Sequence, residues 1–168
     1  MIKKSVLLNP RSLGFTLIEL VVVFSVIIIV STLGIASNVS YSRAQTLQQA
    51  SNEFVTVLNT AKARSGSQIK PTSQCTAVSA LNGYSVTVNI AARSYALNVI
   101  CSGVTTPLST TTLPNGVSFN SATGNPATTT TSVTFSVLTG GVIGSGNIVL
   151  SAFGSSKTVT ISQVGGIQ

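Results

Sequence analysis

One apolar run limits what this chain can fold into. The 22 residues from Phe15 to Ala36 contain a single strongly polar side chain, the carboxylate of Glu19. As a helix rising about 1.5 Å per residue, the run would be roughly 33 Å long, enough to cross the ~30 Å hydrocarbon core of a bilayer. An ionised side chain near the bilayer centre costs on the order of 2.5–3.5 kcal/mol, so it usually has a partner or a function. The sequence therefore predicts a membrane-inserted helix at 15–36 with one functional carboxylate.

Basic residues around the run predict its orientation. Lys3, Lys4 and Arg11 precede it, and the first basic residue after it is Arg43. Cytoplasmic flanks carry the excess of Lys and Arg, so the N-terminus is expected in the cytoplasm and the remainder outside. The predicted location is a single-pass protein of the cytoplasmic (inner) membrane with its head domain outside.

Three interpretations fit the N-terminal segment. A conventional secretory signal could be cleaved after residues 34–36, but its apolar stretch is normally 7–15 residues, shorter than this run. A plain signal anchor explains the length and the basic flank but assigns no role to Glu19. In the third, Gly14 ends a short basic leader and Phe15 begins the mature chain.

The seven residues Gly-Phe-Thr-Leu-Ile-Glu-Leu, starting at Gly14, carry a specific resemblance. Together with the basic leader and the apolar run, they resemble the class III signal of type IV pilins and type II secretion pseudopilins. The resemblance implies that a prepilin peptidase removes residues 1–14 and methylates the new amine of Phe15. It also implies that Glu19 pairs with such an ammonium as subunits assemble, because opposite charges attract strongly at low dielectric. The implied partners are this peptidase, other pilins or pseudopilins through the N-terminal helix, and membrane lipid before assembly.

Residues 37–66 predict an amphipathic continuation of the helix. Gln48, Gln49, Asn52 and Glu53 are polar and lie off the apolar face. Gly66 and Pro71 are expected to end the helix, giving about 50 residues in all. The apolar positions recur at spacings of three and four, and they are Leu47, Ala50, Phe54, Leu58 and Ala61.

Residues 67–168 predict a β-rich head. Apolar residues alternate with polar ones over 84–90, 95–101, 133–137 and 159–161, the two-residue period of strands with one buried face. The sequence therefore predicts an α+β fold, in which the long N-terminal helix packs on a small antiparallel sheet.

The later half carries a second, narrower resemblance. The Thr-rich segment 105–135 predicts exposed loops and edge strands, since Thr suits the solvent face of a sheet. Residues 144–168 resemble the closing pair of strands and terminal glycine motif of H-type pseudopilins and T-type minor pilins. This likeness favours a minor pilin or pseudopilin over a major one.

Cys75 and Cys101 both lie on the exported side, where oxidising conditions let a bridge persist. A disulfide between them is the prediction. The alternative is a pair of buried thiols that act as small apolar side chains.

The distribution of basic residues bears on a different class of function, DNA binding. Lys62, Arg64 and Lys70 could form a basic patch that contacts phosphates, yet Lys and Arg are also favoured at the negative end of a helix. Some T-type minor pilins bind DNA through a terminal glycine-arginine motif, whereas residues 165–168 here read Gly-Gly-Ile-Gln. Nucleic acid is therefore not the expected partner.

Catalysis is not expected either. The chain has no His and only two carboxylate side chains, Glu19 and Glu53, so neither an acid–base pair nor a metal cluster can be assembled. We predict no enzyme activity, no metal and no cofactor. The predicted function is a structural subunit of a type IV pilus or a type II secretion pseudopilus, periplasmic or extracellular after assembly. The alternatives are a DNA-binding minor pilin of an uptake pilus and a signal-anchored surface protein outside any filament.

Overall fold

The computed structural model describes residues 14–123, 130–137 and 141–168, without the side chains of 32–37, 121–123 and 130–131. The chain divides into two compact units, Met1–Ser40 and Tyr41–Gln168. Helix α1 and eight antiparallel strands make an α+β fold, as predicted. The elements are α1 Leu17–Gly66, β1 Leu81–Asn89, β2 Ser94–Cys101, β3 Val104–Thr112, β4 Val117–Thr123, β5 Thr130–Ser136, β6 Val142–Ile143, β7 Gly146–Ala152 and β8 Ser155–Ile161.

The second half of α1 has the buried face that its periodicity predicted. All five predicted apolar positions are buried, from Leu47 to Ala61, while Gln48 and Glu53 are exposed. The helix ends at Gly66, and the amides of Gln68 and Ile69 then bond back to carbonyls of the last turn. These bonds satisfy carbonyls that the helix itself leaves unpaired. The predicted length of about 50 residues and the predicted end are both confirmed.

The larger sheet has five strands in the order β3-β2-β1-β5-β6. Tyr84, Val86 and Val88 of β1 point into the core, as the alternation predicted. The adjacent end of α1 is fixed to this sheet, because the buried hydroxyl of Ser65 donates to the carbonyl of Phe135 at 2.9 Å. Periodicity therefore identified both the strands at the centre of this sheet and their buried faces.

The head contains a second sheet that the sequence did not predict. Its three strands are ordered β4-β7-β8, and β7 and β8 form the expected closing hairpin. A two-residue period shows which face of a strand is buried but not which strand it pairs with. The predicted α+β fold is confirmed, and the described strands of its β-rich head divide into two antiparallel sheets, a division that the alternation did not specify.

An aromatic cluster joins α1 to both sheets. The ring of Phe54 lies 5.2 Å from that of Tyr95 in β2 and 5.5 Å from that of Phe119 in β4, and both contacts are edge-to-face. Tyr95 and Phe119 are themselves 6.3 Å apart. Such pairs are favoured by the negative faces and positive edges of the rings. Phe54 is therefore the point at which the helix and the two sheets share one core.

The Thr-rich segment supplies two sheet edges, as expected, but it also supplies most of β5, which lies between β1 and β6 inside the larger sheet and so corrects the prediction of edge strands alone. Strand β3 is an edge of the larger sheet and β4 an edge of the smaller one. Pro107, within β3, has no amide hydrogen to offer an incoming strand, and the β2–β3 register shifts at the neighbouring pair Leu97/Asn98. Both features discourage pairing with another chain along β3. Residues 124–129 of the segment lie outside the described residues.

The terminal glycines form a tight turn rather than a free tail. Gly165 has a φ of 80°, and its amide donates to the carbonyl of Ser162 at 3.0 Å. A Cβ at Gly166 would lie 2.8 Å from the Ser162 hydroxyl, which accepts the Gly166 amide. The turn brings Ile167 beside Ile161 of β8. The glycine motif therefore has a structural role, since it lets the chain end fold back on the smaller sheet.

A disulfide links the loop after α1 to the end of β2. Cys75 and Cys101 are bonded, with Cα atoms 5.8 Å apart and a sequence separation of 26. Both cysteines are buried, so the bond is shielded from solvent. Of the two alternatives that the sequence left open, the structure has the bridge.

We expect the Cys75→Ser/Cys101→Ser double variant to lose about 3.5 kcal/mol of stability, because the unfolded chain is no longer held in a closed loop of this size. Differential scanning calorimetry should show a Tm lower by on the order of 10 °C. A reductant should lower the Tm of the wild-type protein similarly and leave that of the double variant unchanged. Equal Tm values for oxidised wild type and double variant would contradict the expectation.

Candidate functional site

The start of α1 holds the residues on which the sequence interpretation depends. Gly14 is exposed, with nothing within 4 Å of the position where a Cβ would lie, and Phe15 is 80% exposed. Thr16 precedes the first helical residue, Leu17, and its hydroxyl oxygen accepts the backbone N–H of Glu19 at 3.3 Å. Thr16 is therefore the N-cap, and Glu19 occupies the third helical position.

This geometry gives Glu19 a local role in addition to any role between subunits. Thr-x-x-Glu is the capping-box spacing: the N-cap hydroxyl accepts the amide of the third helical residue, as it does here, and a glutamate at that position is placed to accept the amide of the N-cap residue. A carboxylate in the first turn also lies at the positive end of the helix dipole, which stabilises it by about 0.3–1 kcal/mol. Sequence reasoning missed Thr16, although the Thr-x-x-Glu spacing before an apolar run was the available signal.

The first part of α1 exposes apolar side chains on every side. Every described side chain from 14 to 31 is exposed, although nearly all of them are apolar. The hydroxyls of Ser25 and Ser31 donate to the carbonyls four residues earlier, at 2.8 and 2.7 Å. They therefore need no outside partner. A helix that is apolar all round is normally buried in a large core or a membrane, so this segment requires apolar surroundings that its own unit does not supply.

The predicted membrane segment, residues 15–36, is only partly described. The side chains of 32–37 and all of the predicted leader before Gly14 lie outside the described residues. Within the part that is described, no helix combines the length and the apolar character needed to cross a membrane.

The start of the chain carries a known sequence motif. Residues 9–35 match the family model described as the prokaryotic N-terminal methylation motif. The methylation motif covers Gly14, Phe15 and Glu19, and it indicates a type IV pilin-like precursor. It spans 27 of the 168 residues, so it characterises the N-terminus and not the head.

Comparison of the whole chain adds no further relative. Neither a curated protein nor a solved structure is significantly similar to it. The head, which lies outside the methylation motif, therefore has to be interpreted from its own geometry.

The three basic residues of the predicted patch have different surroundings. Lys62 is exposed, whereas the Lys70 ammonium donates to the carbonyl of Ala77 at 2.9 Å. Burial raises the pKa of Tyr84, and the nearby positive charge of Arg64 partly offsets that rise. The Tyr84 hydroxyl in turn donates to the carbonyl of Ile69. Lys70 thus has a partner in the loop that follows α1, whereas Arg64 lies near Tyr84 of β1.

The two carboxylates of the chain are far apart in sequence and in surroundings. Glu19 begins α1, whereas Glu53 lies on its polar face and accepts from the Gln49 amide at 2.9 Å. Burial raises the pKa of Tyr95, and the negative charge of Glu53 raises it further. Among the described residues, no three His, Cys, Asp or Glu side chains come together as metal ligands.

Proposed function

We propose that this protein is a structural subunit of a type IV pilus or of a type II secretion pseudopilus. The observation that carries the proposal is the start of α1. A methylation motif spans Gly14 and Phe15, which directly precede an exposed apolar segment of α1 whose single carboxylate is Glu19. That helix needs an apolar environment, and the two that suit it are a bilayer and a bundle of identical helices.

Processing creates the positive charge that can pair with the Glu19 carboxylate, which has no partner in lipid. Cleavage by a prepilin peptidase between Gly14 and Phe15 leaves an ammonium on Phe15, which the same enzyme methylates. Methylation of an amine retains its positive charge at neutral pH. The accessibility of Gly14 and Phe15 in the free chain supports cleavage at this bond.

The pairing of these charges gives a direction to assembly. A carboxylate in lipid is costly when unpaired and less so when an ammonium lies beside it. We propose that Glu19 of an incoming subunit pairs with the Phe15 ammonium of a neighbour. Transfer from the inner membrane, where the head lies outside, into the filament is then favourable because it replaces an unpaired charge with a paired one.

We further propose a minor pilin or pseudopilin with no catalytic activity. The β7–β8 hairpin and the terminal glycine turn agree with the resemblance to H-type pseudopilins and T-type minor pilins. The chain has no histidine, and its two carboxylate side chains have separate surroundings. Such residues do not favour acid–base or metal chemistry. The bond from the Lys70 ammonium to the Ala77 carbonyl favours a structural role over phosphate binding for that member of the basic patch.

We expect the intact protein from its native membrane fraction to begin at a methylated Phe15. Mass spectrometry of the whole chain and of its N-terminal peptide measures this. A Gly14→Leu variant, in which a side chain blocks the cleavage site, should keep the leader and remain in the membrane fraction. A wild-type chain that starts at Met1, or at Ser37 after ordinary signal cleavage, would contradict the proposal.

A further inference from the structure

The hairpin between β7 and β8 contains a strained aromatic residue. Its two-residue loop, Phe153-Gly154, joins the paired residues Ala152 and Ser155, and Phe153 has a φ of 51°. Loops of this kind favour Asn-Gly or Asp-Gly, because a bulky side chain is unfavourable at positive φ. The corresponding loop between β2 and β3 uses Ser102-Gly103. A phenylalanine is thus held where a small polar residue would be less strained.

The ring of Phe153 is fixed in position but still accessible. A Cβ at Gly116 would lie 2.4 Å from the ring, so only glycine lets the ring approach β4 this closely. The guanidinium of Arg43 lies 5.0 Å from the ring centroid, within the range of a cation–π contact. Even so, 51% of Phe153 remains exposed. Strain in a residue that the surrounding structure holds in place is a mark of a functional site.

A row of hydroxyls crosses the smaller sheet beside this ring. Ser118, Ser151 and Ser156 are directly opposite one another on β4, β7 and β8, and the Ser118 and Ser151 hydroxyls are 3.4 Å apart. The row and Asn120 line a cleft of about 440 Å³ that Phe153 borders. The described residues that line the cleft are uncharged, and the cation beside it is Arg43, whose guanidinium lies over the ring of Phe153. The cleft therefore offers one apolar ring and several neutral hydrogen-bonding groups.

We infer that this cleft, defined by Phe153, Ser118, Asn120, Ser151 and Ser156, is a binding site for a neutral saccharide. The negative face of an aromatic ring attracts the polarised C–H groups of a pyranose, and hydroxyl and amide side chains can bond its hydroxyls in either direction. Single-stranded nucleic acid could also stack on the ring, but its phosphates need a cationic groove. A single guanidinium, already in contact with the ring, is not a cationic groove, so the otherwise uncharged lining favours the saccharide. This inference does not depend on the proposed filament role.

The test uses the full-length chain in a detergent without a sugar headgroup. Saturation-transfer difference NMR should detect saturable binding of a trimer of N-acetylglucosamine, a trimer of glucose, or both. An oligothymidylate of eight nucleotides serves as the competing probe. Absence of binding by both saccharides, including the case in which only the oligonucleotide binds, would overturn the inference.

Two variants assign the binding to the cleft. Phe153→Asn creates the preferred Asn-Gly loop, so the hairpin should keep its Tm while saccharide affinity falls about five- to tenfold. Ser151→Ala leaves the loop unchanged and should weaken binding about two- to fivefold by removing the central hydroxyl. Tyr41→Ala removes another exposed aromatic ring and should bind like wild type. Unchanged affinity in either cleft variant, or an equal loss in Tyr41→Ala, would overturn the inference.

Discussion

Glu19→Gln should be cleaved and methylated normally but should fall at least about tenfold in assembled filaments. An amide cannot pair ionically with the Phe15 ammonium of a neighbour, so transfer out of the bilayer loses its electrostatic advantage. The measurement compares the variant's amount in sheared filaments with that in membranes, while mass spectrometry confirms processing. Because wild-type incorporation is the reference, this prediction rests on the proposed filament role.

Gln is the informative substitution because it separates the two roles of Glu19. The Thr16 hydroxyl accepts the backbone amide of residue 19, which glutamine retains, and glutamine suits the capping-box position as glutamate does, so the start of the helix should be retained. Loss of incorporation then reports the missing charge and not a frayed helix. Glu19→Ala removes both contributions and should be no better incorporated than Glu19→Gln.

Glu53→Gln is the matched control, since it removes the other carboxylate of the chain from an exposed position on the same helix. It should assemble like wild type. Normal incorporation of Glu19→Gln together with loss in Glu19→Ala would mean that the capping role is the important one. Normal incorporation of both variants would leave the carboxylate without a role in assembly.

Phe54→Ala should destabilise the head by about 3–5 kcal/mol, the usual cost of removing a fully buried phenylalanine. The ring is inaccessible to solvent and contacts both Tyr95 and Phe119, so its loss leaves a cavity where α1 meets both sheets. Calorimetric unfolding of the purified chain measures the effect. Loss of near-ultraviolet circular dichroism at a lower temperature would report the same change through the tyrosines.

Phe24→Ala provides the matched control for this substitution. Phe24 is 57% exposed and belongs to the first unit, Met1–Ser40, so its truncation should leave the unfolding of the head unchanged. A similar loss of Tm in both variants would show that Phe54 has no special place in the core. A loss under about 1 kcal/mol in Phe54→Ala would indicate that the neighbouring rings collapse into the space.

Local patterns were sufficient for the helix and for individual strands. A period of 3.6 fixes one face of a helix, so Leu47, Phe54 and Leu58 could be identified as core residues without knowledge of what covers them. Gly66 could be identified as the end of the helix for a similarly local reason. The N-terminal motif is also local, because peptidase recognition and helix capping both depend on residues within a few positions of Gly14.

The sequence by itself thus determined the methylation motif, the long helix with its apolar and amphipathic parts, and the buried faces of β1, β2, β5 and β8. Only the tertiary structure decided that the strands divide into two sheets, that Ser118, Ser151 and Ser156 align, and that Phe153 lies against Gly116 and Arg43. The physical reason is sequence separation. Pairings such as β4 with β7 are selected by packing across about thirty residues, and no local period records which strand will be the partner.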